Sequence, residues 1–183
     1  GERPVALLFF IMTTLRDAKP GDALAVTAFL RGLGLVMPDG DDAANAHWRE
    51  LWETNPALKV HGATVSLGWV IEDAGRIVGF FGNIPQVAYF DGNPVRVSSA
   101  RAWAVDQDYR SETPRLCEAF FNQSISDVVL ISSASLPAGR RCLEFGGAKM
   151  PQEDYEKILY WVLDANRFVR AGLRKKGRGA FAA

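Results

Sequence analysis

Cysteine and histidine are scarce in this sequence, which has two residues of each. Cys117 and Cys142 do not form a Cys-x-x-Cys pair, and two cysteines cannot build a disulfide framework. We therefore expect free thiols in a reducing cytoplasm. His47 and His61 are too few for a histidine-rich metal site, so no bound metal is expected.

The sequence also lacks net charge, because 21 lysines and arginines balance 21 aspartates and glutamates. Without a strongly basic surface, nucleic acid is not expected as the main partner. The chain contains no His-Glu-x-x-His, Gly-x-Ser-x-Gly or P-loop motif. The sequence thus lacks the local signatures of zinc proteases, of serine hydrolases with a nucleophile elbow and of P-loop proteins.

The apolar run near the N-terminus, residues 5–11, is far shorter than the roughly 20 residues that span a bilayer. No small-residue cleavage site follows it, so it does not read as a signal peptide. We interpret residues 1–11 as an N-terminal extension, with an added edge strand as the alternative.

The composition is typical of a soluble globular protein, with 48% hydrophobic and 23% charged residues. A chain of 183 residues predicts one domain, or one domain and a tail. We expect the domain over residues 12–165 and a basic tail or linker over residues 166–183.

The first third of the chain predicts one strand and two helices. Residues 14–18 are a strand candidate, and Lys-Pro-Gly-Asp then opens a helix with apolar residues at helical spacing from Val26 to Leu33. A second helix, ANAHWRELWETN, places Trp48 and Trp52 on one face. The Asn-Pro pair ends this helix because the residue before proline disfavours helical geometry.

A strand pattern follows, with three antiparallel strands predicted over residues 63–105 and joined by DAGR and DGN turns. Pro85 predicts a break or an edge position in the second strand, since proline cannot donate to the ladder. Thr113 is the predicted N-cap of the next helix. The apolar run over residues 127–135 predicts a fully buried strand.

The remaining pattern predicts a helix that opens at Ser135 and ends at the Gly146-Gly147 pair, and a last strand over residues 155–163. A strand–helix–strand crossover joined to an antiparallel meander gives an α/β fold. We predict a mixed, mostly antiparallel central sheet with flanking helices.

Four phrases in this order resemble the GCN5-related N-acetyltransferase superfamily: LRDAKPGD, GRIVGFFG, WAVDQDYR and LEFGGAKMP. The resemblance covers roughly residues 12–165, and Val105, Tyr109 and Arg110 match the phrase that precedes the family's phosphate loop. It implies an acyl-CoA N-acyltransferase-like fold. It also implies direct transfer of an acetyl or other acyl group from acyl-CoA to an amine, on a small molecule or a peptide.

The phosphate loop departs from the family pattern. In the family, a glycine-rich loop binds the pyrophosphate of acetyl-CoA with its backbone N–H groups; here Thr113 and Arg115 occupy the two small positions, and Pro114 has no N–H. Either the remaining amides still bind an anion with help from Arg110 and Arg115, or Glu112 repels phosphate and CoA binds weakly or not at all.

Carried over by position, the resemblance implies a cofactor-binding set in three segments. The strand end would hold pantetheine and the carbonyl, the loop the pyrophosphate, and the later serines would border the point where CoA enters. The set is Ala104, Val105, Arg110, Ser111, Glu112, Thr113, Arg115, Leu116, Ser132 and Ser133.

The catalytic residues are marked less clearly. Aminolysis of a thioester needs a base for the amine and an acid for the departing thiolate. Asp106 is the base candidate nearest the expected reaction centre, with Glu72 and Asp73 as others; a capping role is the alternative for Asp106. Cys142 stands where the family often has an acidic tyrosine, and a buried structural cysteine is the alternative there.

Two further features carry open alternatives. Trp48 and Trp52 are core residues or line an acceptor pocket. Residues 167–179 are basic with interleaved apolar residues, and are a solvated tail, a contact for anionic lipid, nucleic acid or a partner, or a link to a missing C-terminal domain. The resemblance also raises a homodimer and a bacterial source as expectations.

The rival to an acyltransferase is a non-catalytic module of the same fold that binds a protein partner or another anionic ligand. It is motivated by the missing loop glycines, by Cys142 in the tyrosine position and by the lack of a clear base.

Overall fold

The structure is a computed structural model that describes residues 12–62, 65–150, 162 and 164–175. The chain divides into two compact units, Gly1–Gly147 and Ala148–Ala183. The predicted extension over residues 1–11 and, apart from Val162, the predicted strand over residues 155–163 lie outside the described residues.

The described residues of the first unit form a five-stranded sheet in which spatial order follows chain order. The first four strands are antiparallel to their neighbours, whereas the fifth is parallel to the fourth. The predicted mixed, mostly antiparallel sheet is confirmed. The strands are β1 (Thr14–Asp17), β2 (Gly68–Asp73), β3 (Arg76–Phe90), β4 (Asn93–Val105) and β5 (Val128–Leu130).

Helices cover both faces of the sheet, and their order in the chain agrees with the prediction apart from one short helix. The helices of the first unit are α1 (Ala23–Gly32), α2 (Asp41–Trp52), α3 (Leu58–His61), α4 (Thr113–Phe121) and α5 (Leu136–Glu144). The short helix α3 was not predicted. Asn55 begins this segment, since its side chain accepts from the Ala57 N–H at 3.0 Å and donates to the Pro85 carbonyl at 2.8 Å.

Two tight turns set the register of the β2–β3–β4 meander. Ala74 and Gly75 have φ values of 46° and 80°, and Asp91 and Gly92 have φ values of 49° and 79°. Two consecutive positive φ values are typical of the hairpin turns whose twist matches that of antiparallel strands. Both predicted turns are confirmed.

One face of the sheet packs against α1 and α2. Trp48 and Trp52 stack on each other with ring centroids 4.4 Å apart, and Trp48 also meets Phe80 of β3 edge to face. The indole N–H of Trp48 donates to the Thr27 hydroxyl at 2.8 Å, so its polar atom is satisfied in the core. Both tryptophans are buried, as their core interpretation predicts.

The opposite face packs against α4. Phe120 of α4 stacks on Phe81 of β3 at 4.4 Å and meets Trp69 of β2 edge to face. Leu116 and Cys117 of α4 have no exposed surface. The apolar stripe of α4 thus holds the crossover helix flat against the sheet.

The structure tests three local predictions: the position of Pro85, the N-cap of α4 and the burial of β5. Pro85 lies within a continuous β3 and pairs with Ser98 of β4, but β2 pairs with β3 only as far as Gly82, so the predicted edge position is confirmed. The N-cap residue of α4 is Glu112, one residue before the predicted Thr113. The strand predicted over residues 127–135 is present as β5, but it has three residues that are exposed or half-buried, so its predicted burial is wrong.

A β-bulge bends β4 near its end. Gly82 of β3 pairs with Arg101, while Phe80 pairs with Ala104, so Ala102 and Trp103 together face the single residue between. Ala102, at this bulge, has a φ of 52°, a left-handed value that alanine rarely adopts. A Cβ on Gly82 would lie 2.6 Å from the Arg101 carbonyl oxygen, so glycine permits the close approach.

We expect Gly82→Ala to lower the free energy of unfolding by about 2 kcal/mol, because the backbone of β4 must move to admit the methyl group. Urea unfolding followed by circular dichroism measures the change. Gly32→Ala is the matched control: a Cβ there meets nothing within 4 Å, so the protein should keep or gain stability. Equal stability of the two variants would contradict the close approach at the bulge.

Candidate active site

A gap opens in the sheet where β4 and β5 separate. The two strands pair only through Val97, Ser98 and Ser99, whose partners are Val128, Val129 and Leu130. β4 continues to Val105 beyond this short ladder, and the bulge bends it there. Within the described residues, the last six residues of β4 therefore have no β5 partner.

A groove of about 340 Å³ lies at this end of β4. Three elements contribute to its walls: the end of β4, the segment that leads into α4, and the start of α5. Its lining residues are Trp103, Ala104, Val105, Arg110, Thr113, Pro137, Ala138 and Arg141.

The start of α5 is ordered by its cap. The Ser135 hydroxyl accepts from the Ala138 N–H at 3.4 Å, and Pro137 occupies the first turn, where its missing N–H costs nothing. At the other end, the Gly147 N–H donates to the Cys142 carbonyl at 2.9 Å, as the glycine pair predicts. The positive end of the α5 dipole therefore lies at the groove.

The segment before α4 is a tight 3₁₀ turn, Gln107–Glu112, instead of an open loop. The Tyr109 N–H donates to the Asp106 carbonyl at 3.0 Å, and the Thr113 N–H donates to the Arg110 carbonyl. Pro114 supplies no N–H at all. The N–H groups of this turn therefore bond to carbonyls of the same segment, whereas a glycine-rich loop would present such groups to a phosphate.

Arg115 does not line the groove. Its guanidinium donates to the Thr13 hydroxyl at 2.9 Å and to the Glu112 carboxylate, which also accepts from Thr13 at 2.8 Å. Arg115 lines a different cavity of about 430 Å³, together with Leu15, Trp69 and residues of α4. The prediction that Arg115 contacts the cofactor is therefore not supported by its position.

The other predicted cofactor residues divide in two groups. Ala104, Val105, Arg110 and Thr113 come together at the groove. Leu116 is wholly buried in the α4 core, so its side chain cannot touch a ligand and its proposed contact is limited to the backbone amide. Ser111, Glu112, Ser132 and Ser133 are not among the lining residues, and both later serines are exposed beyond the end of β5.

Each carboxylate considered as a base has a partner. Asp106 accepts from the Asp108 N–H at 3.4 Å and pairs with Arg76 at 3.3 Å. Glu72 pairs with Arg16 at 2.9 Å. The carboxylate of Asp73 accepts from the hydroxyl of Tyr109, and this bond raises the pKa of that tyrosine. These contacts compete with proton transfer to a substrate.

Cys142 is buried in α5 and does not line the groove, although its neighbour Arg141 does. Burial raises the pKa of the Cys142 thiol and raises that of Cys117 to about 12. A thiol with a raised pKa is a weaker acid than an ordinary cysteine, so its environment works against the predicted acid role.

His47 is a titratable group that the sequence analysis did not select. Its ring meets Trp48 edge to face at 5.1 Å, and its Nε2 atom is buried with no hydrogen-bond partner among the described residues. Burial, and then the positive charge of Arg101, lower the pKa of His47. The imidazole is therefore neutral at neutral pH and has an unused nitrogen.

Four lining residues were missed: Trp103, Pro137, Ala138 and Arg141. A sequence signal existed for three of them. They stand two, three and six residues after the capping Ser135, a spacing that places them on one side of the first two turns of a helix. Their common face could have been found once α5 was predicted.

Comparison with protein-family models finds no match, and comparison with curated proteins by sequence also finds none. Comparison with solved structures does find similar chains. Glucosamine-6-phosphate N-acetyltransferase from Arabidopsis thaliana aligns at 13% identity with a TM-score of 0.59, over 84% of this chain and 99% of that one.

Two ligand complexes give similar alignments. A predicted acetyltransferase from Clostridium acetobutylicum with acetyl-CoA has 12% identity and a TM-score of 0.55, over 83% of this chain and 97% of its own. An aminoglycoside N-acetyltransferase in complex with CoA has 14% identity and a TM-score of 0.57, over 85% and 97%. The chain thus has, in a divergent sequence, the fold of the GCN5-related N-acetyltransferases.

Proposed function

We propose that the protein binds an acyl-CoA in the groove between β4, α4 and α5 and transfers its acyl group to a primary amine. The observation that carries the proposal is the coincidence of the groove with the gap between β4 and β5. Similar chains were solved with acetyl-CoA and with CoA, which supports this class of ligand.

The gap gives the two substrates separate approaches. Along the end of β4, Trp103 and Val105 pack toward the α4 core, while Ala102 and Ala104 pack toward the α1–α2 core. An acyl-CoA in the groove would bring its thioester to the strand end from the α4 side. The amine would then approach from the α1–α2 side, where His47 lies next to Trp48.

The pyrophosphate would be held by arginines in place of loop amides. Arg110 and Arg141 both line the groove, and guanidinium groups bind phosphate with charge-assisted hydrogen bonds. Arg141 pairs with Glu144 at 2.6 Å on an exposed surface, so a phosphate could replace that partner at small cost. The start of α5 adds a favourable dipole.

In the proposed reaction, the amine nitrogen attacks the thioester carbonyl, a C–N bond forms and the C–S bond breaks. We assign the proton on the attacking amine to the imidazole of His47, whose Nε2 atom is buried in this structure and must be exposed by a turn of the ring before it can accept. A neutral imidazole with a free nitrogen suits this role better than carboxylates that are already paired. The departing CoA thiolate takes its proton from solvent.

The acceptor is proposed as a small amine. The names of two similar proteins specify glucosamine-6-phosphate and aminoglycosides, both of which are amino sugars. A peptide amine stays as the alternative, because the fold itself does not select the acceptor.

We expect Arg110→Ala and Arg141→Ala each to weaken acetyl-CoA binding about tenfold, since each removes one charge-assisted contact with the pyrophosphate. Isothermal titration calorimetry with acetyl-CoA measures the dissociation constants. Arg115→Ala should change affinity little, because Arg115 lines another cavity, and Arg49→Ala on the exposed side of α2 is a matched control. Loss of binding in Arg115→Ala alone would contradict this assignment.

We expect kcat/KM to fall at low pH as His47 becomes protonated, with an apparent pKa below the ordinary value of about 6.5 because the pKa of His47 is lowered. His47→Gln should lower kcat and abolish the fall of kcat/KM at low pH, while leaving acetyl-CoA affinity unchanged. The measurement is the rate at which the CoA thiol is released as a function of pH, with a panel of amino sugars as acceptors. If Asp106→Asn abolished the fall of kcat/KM at low pH and His47→Gln did not, the base would be Asp106.

A non-catalytic binding module is the second candidate, and the 3₁₀ turn favours it. That turn uses the Thr113 amide internally, so the protein has fewer donors for a phosphate than a glycine-rich loop. Tight acetyl-CoA binding without thiol release toward any amine would support this second function. No detectable heat with either CoA or acetyl-CoA would overturn acyl-CoA binding.

A further inference from the structure

The second unit contains one helix among its described residues, α6 (Ala165–Lys175), and this helix is strongly amphipathic. At helical spacing, Val169 and Leu173 lie on one side, while Arg167 and Arg170 lie on the other. Val169 is 56% exposed and Phe168, beside it, is 54% exposed. An apolar stripe and a basic stripe are therefore both presented at the surface.

The charge of this segment has one sign. From Arg167 to the end, the sequence contains six basic residues and no acidic one; the basic residues are Arg167, Arg170, Arg174, Lys175, Lys176 and Arg178. The nearest acid, Asp164, caps the helix and pairs with Arg167 at 3.5 Å. The segment thus concentrates positive charge in a chain whose net charge is zero.

The length of α6 limits how it can meet a bilayer. Eleven residues make a helix of about 16 Å, about half the hydrocarbon thickness. Among the described residues, no helix has the length and apolar character needed to cross a membrane. An amphipathic helix of this kind lies in the plane of the interface, with its apolar side among acyl chains and its basic side among headgroups.

We propose that α6 binds the surface of membranes that contain anionic lipid. Phosphate headgroups complement the arginines, and the acyl region covers Val169 and its apolar neighbours. Nucleic acid would satisfy only the arginines and would leave the apolar stripe exposed to water. A lipid surface uses both stripes, and this inference does not depend on the proposed acyl transfer.

The test is sedimentation of the full chain with two kinds of vesicle: phosphatidylcholine mixed with phosphatidylglycerol, and phosphatidylcholine alone. We expect binding to the anionic vesicles only, and weaker binding at high salt because screening reduces the attraction. Equal binding to both vesicles, or binding to neither, would overturn the proposal.

Two pairs of variants separate the contributions of the stripes. Arg170→Glu should weaken vesicle binding by at least about fivefold, whereas Arg49→Glu on α2 makes the same charge change in the first unit and should have a small effect. Val169→Ser should weaken binding by about fivefold, while Val36→Ser, at a valine that is 97% exposed, should not. Circular dichroism checks that every variant stays folded.

The same proteins are titrated into labelled duplex DNA, with fluorescence anisotropy as the readout. Affinity for DNA without affinity for anionic vesicles would replace the lipid proposal with nucleic-acid binding. Vesicle binding that is unchanged in Val169→Ser would also contradict the lipid proposal, because purely electrostatic adhesion does not need the apolar stripe. Loss of vesicle binding in both α6 variants and in neither control supports an interfacial helix.

Discussion

The unequal pairing of β4 determines where this protein has a usable site. β4 pairs with β3 along nearly its whole length but with β5 over only three residues. A strand that loses one neighbour while keeping the other opens a gap without leaving the sheet, so its backbone remains ordered beside empty space. The bulge at Ala102, together with Gly82 opposite Arg101, keeps the end of β4 bent, and the groove forms at this end.

Charge pairing then decides which polar residues are available there. Glu112, Arg115 and Thr13 are bonded together, and this cluster ties the segment before β1 to the start of α4. Asp106 is held by Arg76 in the same way. In this chain, residues that stand at the positions of the family's loop have structural partners, while Arg110 and Arg141 remain at the groove. The cationic groups at the groove are therefore side chains of the 3₁₀ turn and of α5.

The fold was largely predictable because it rests on local periodicity. The positive-φ turns, the glycine-terminated α5 and the alternating β2–β4 strands all have short-range signals. The predicted burial of β5 failed because burial depends on neighbouring strands: β5 is apolar in sequence, but among the described residues it pairs on one side only, with β4. The short α3 was not predicted because four residues are too few to show a helical spacing of apolar residues.

The sequence by itself determined the class of sheet and the order of its elements, since turns, caps and apolar spacing act over a few residues. Only the tertiary structure decided which side chains meet at the groove. From the sequence, Arg115 is predicted as a phosphate ligand and Arg141 is not, yet Arg115 is paired with Glu112 at another cavity and Arg141 lines the groove. The direction of a side chain depends on partners that are distant in sequence, such as Thr13 for Arg115, and no local pattern contains that information.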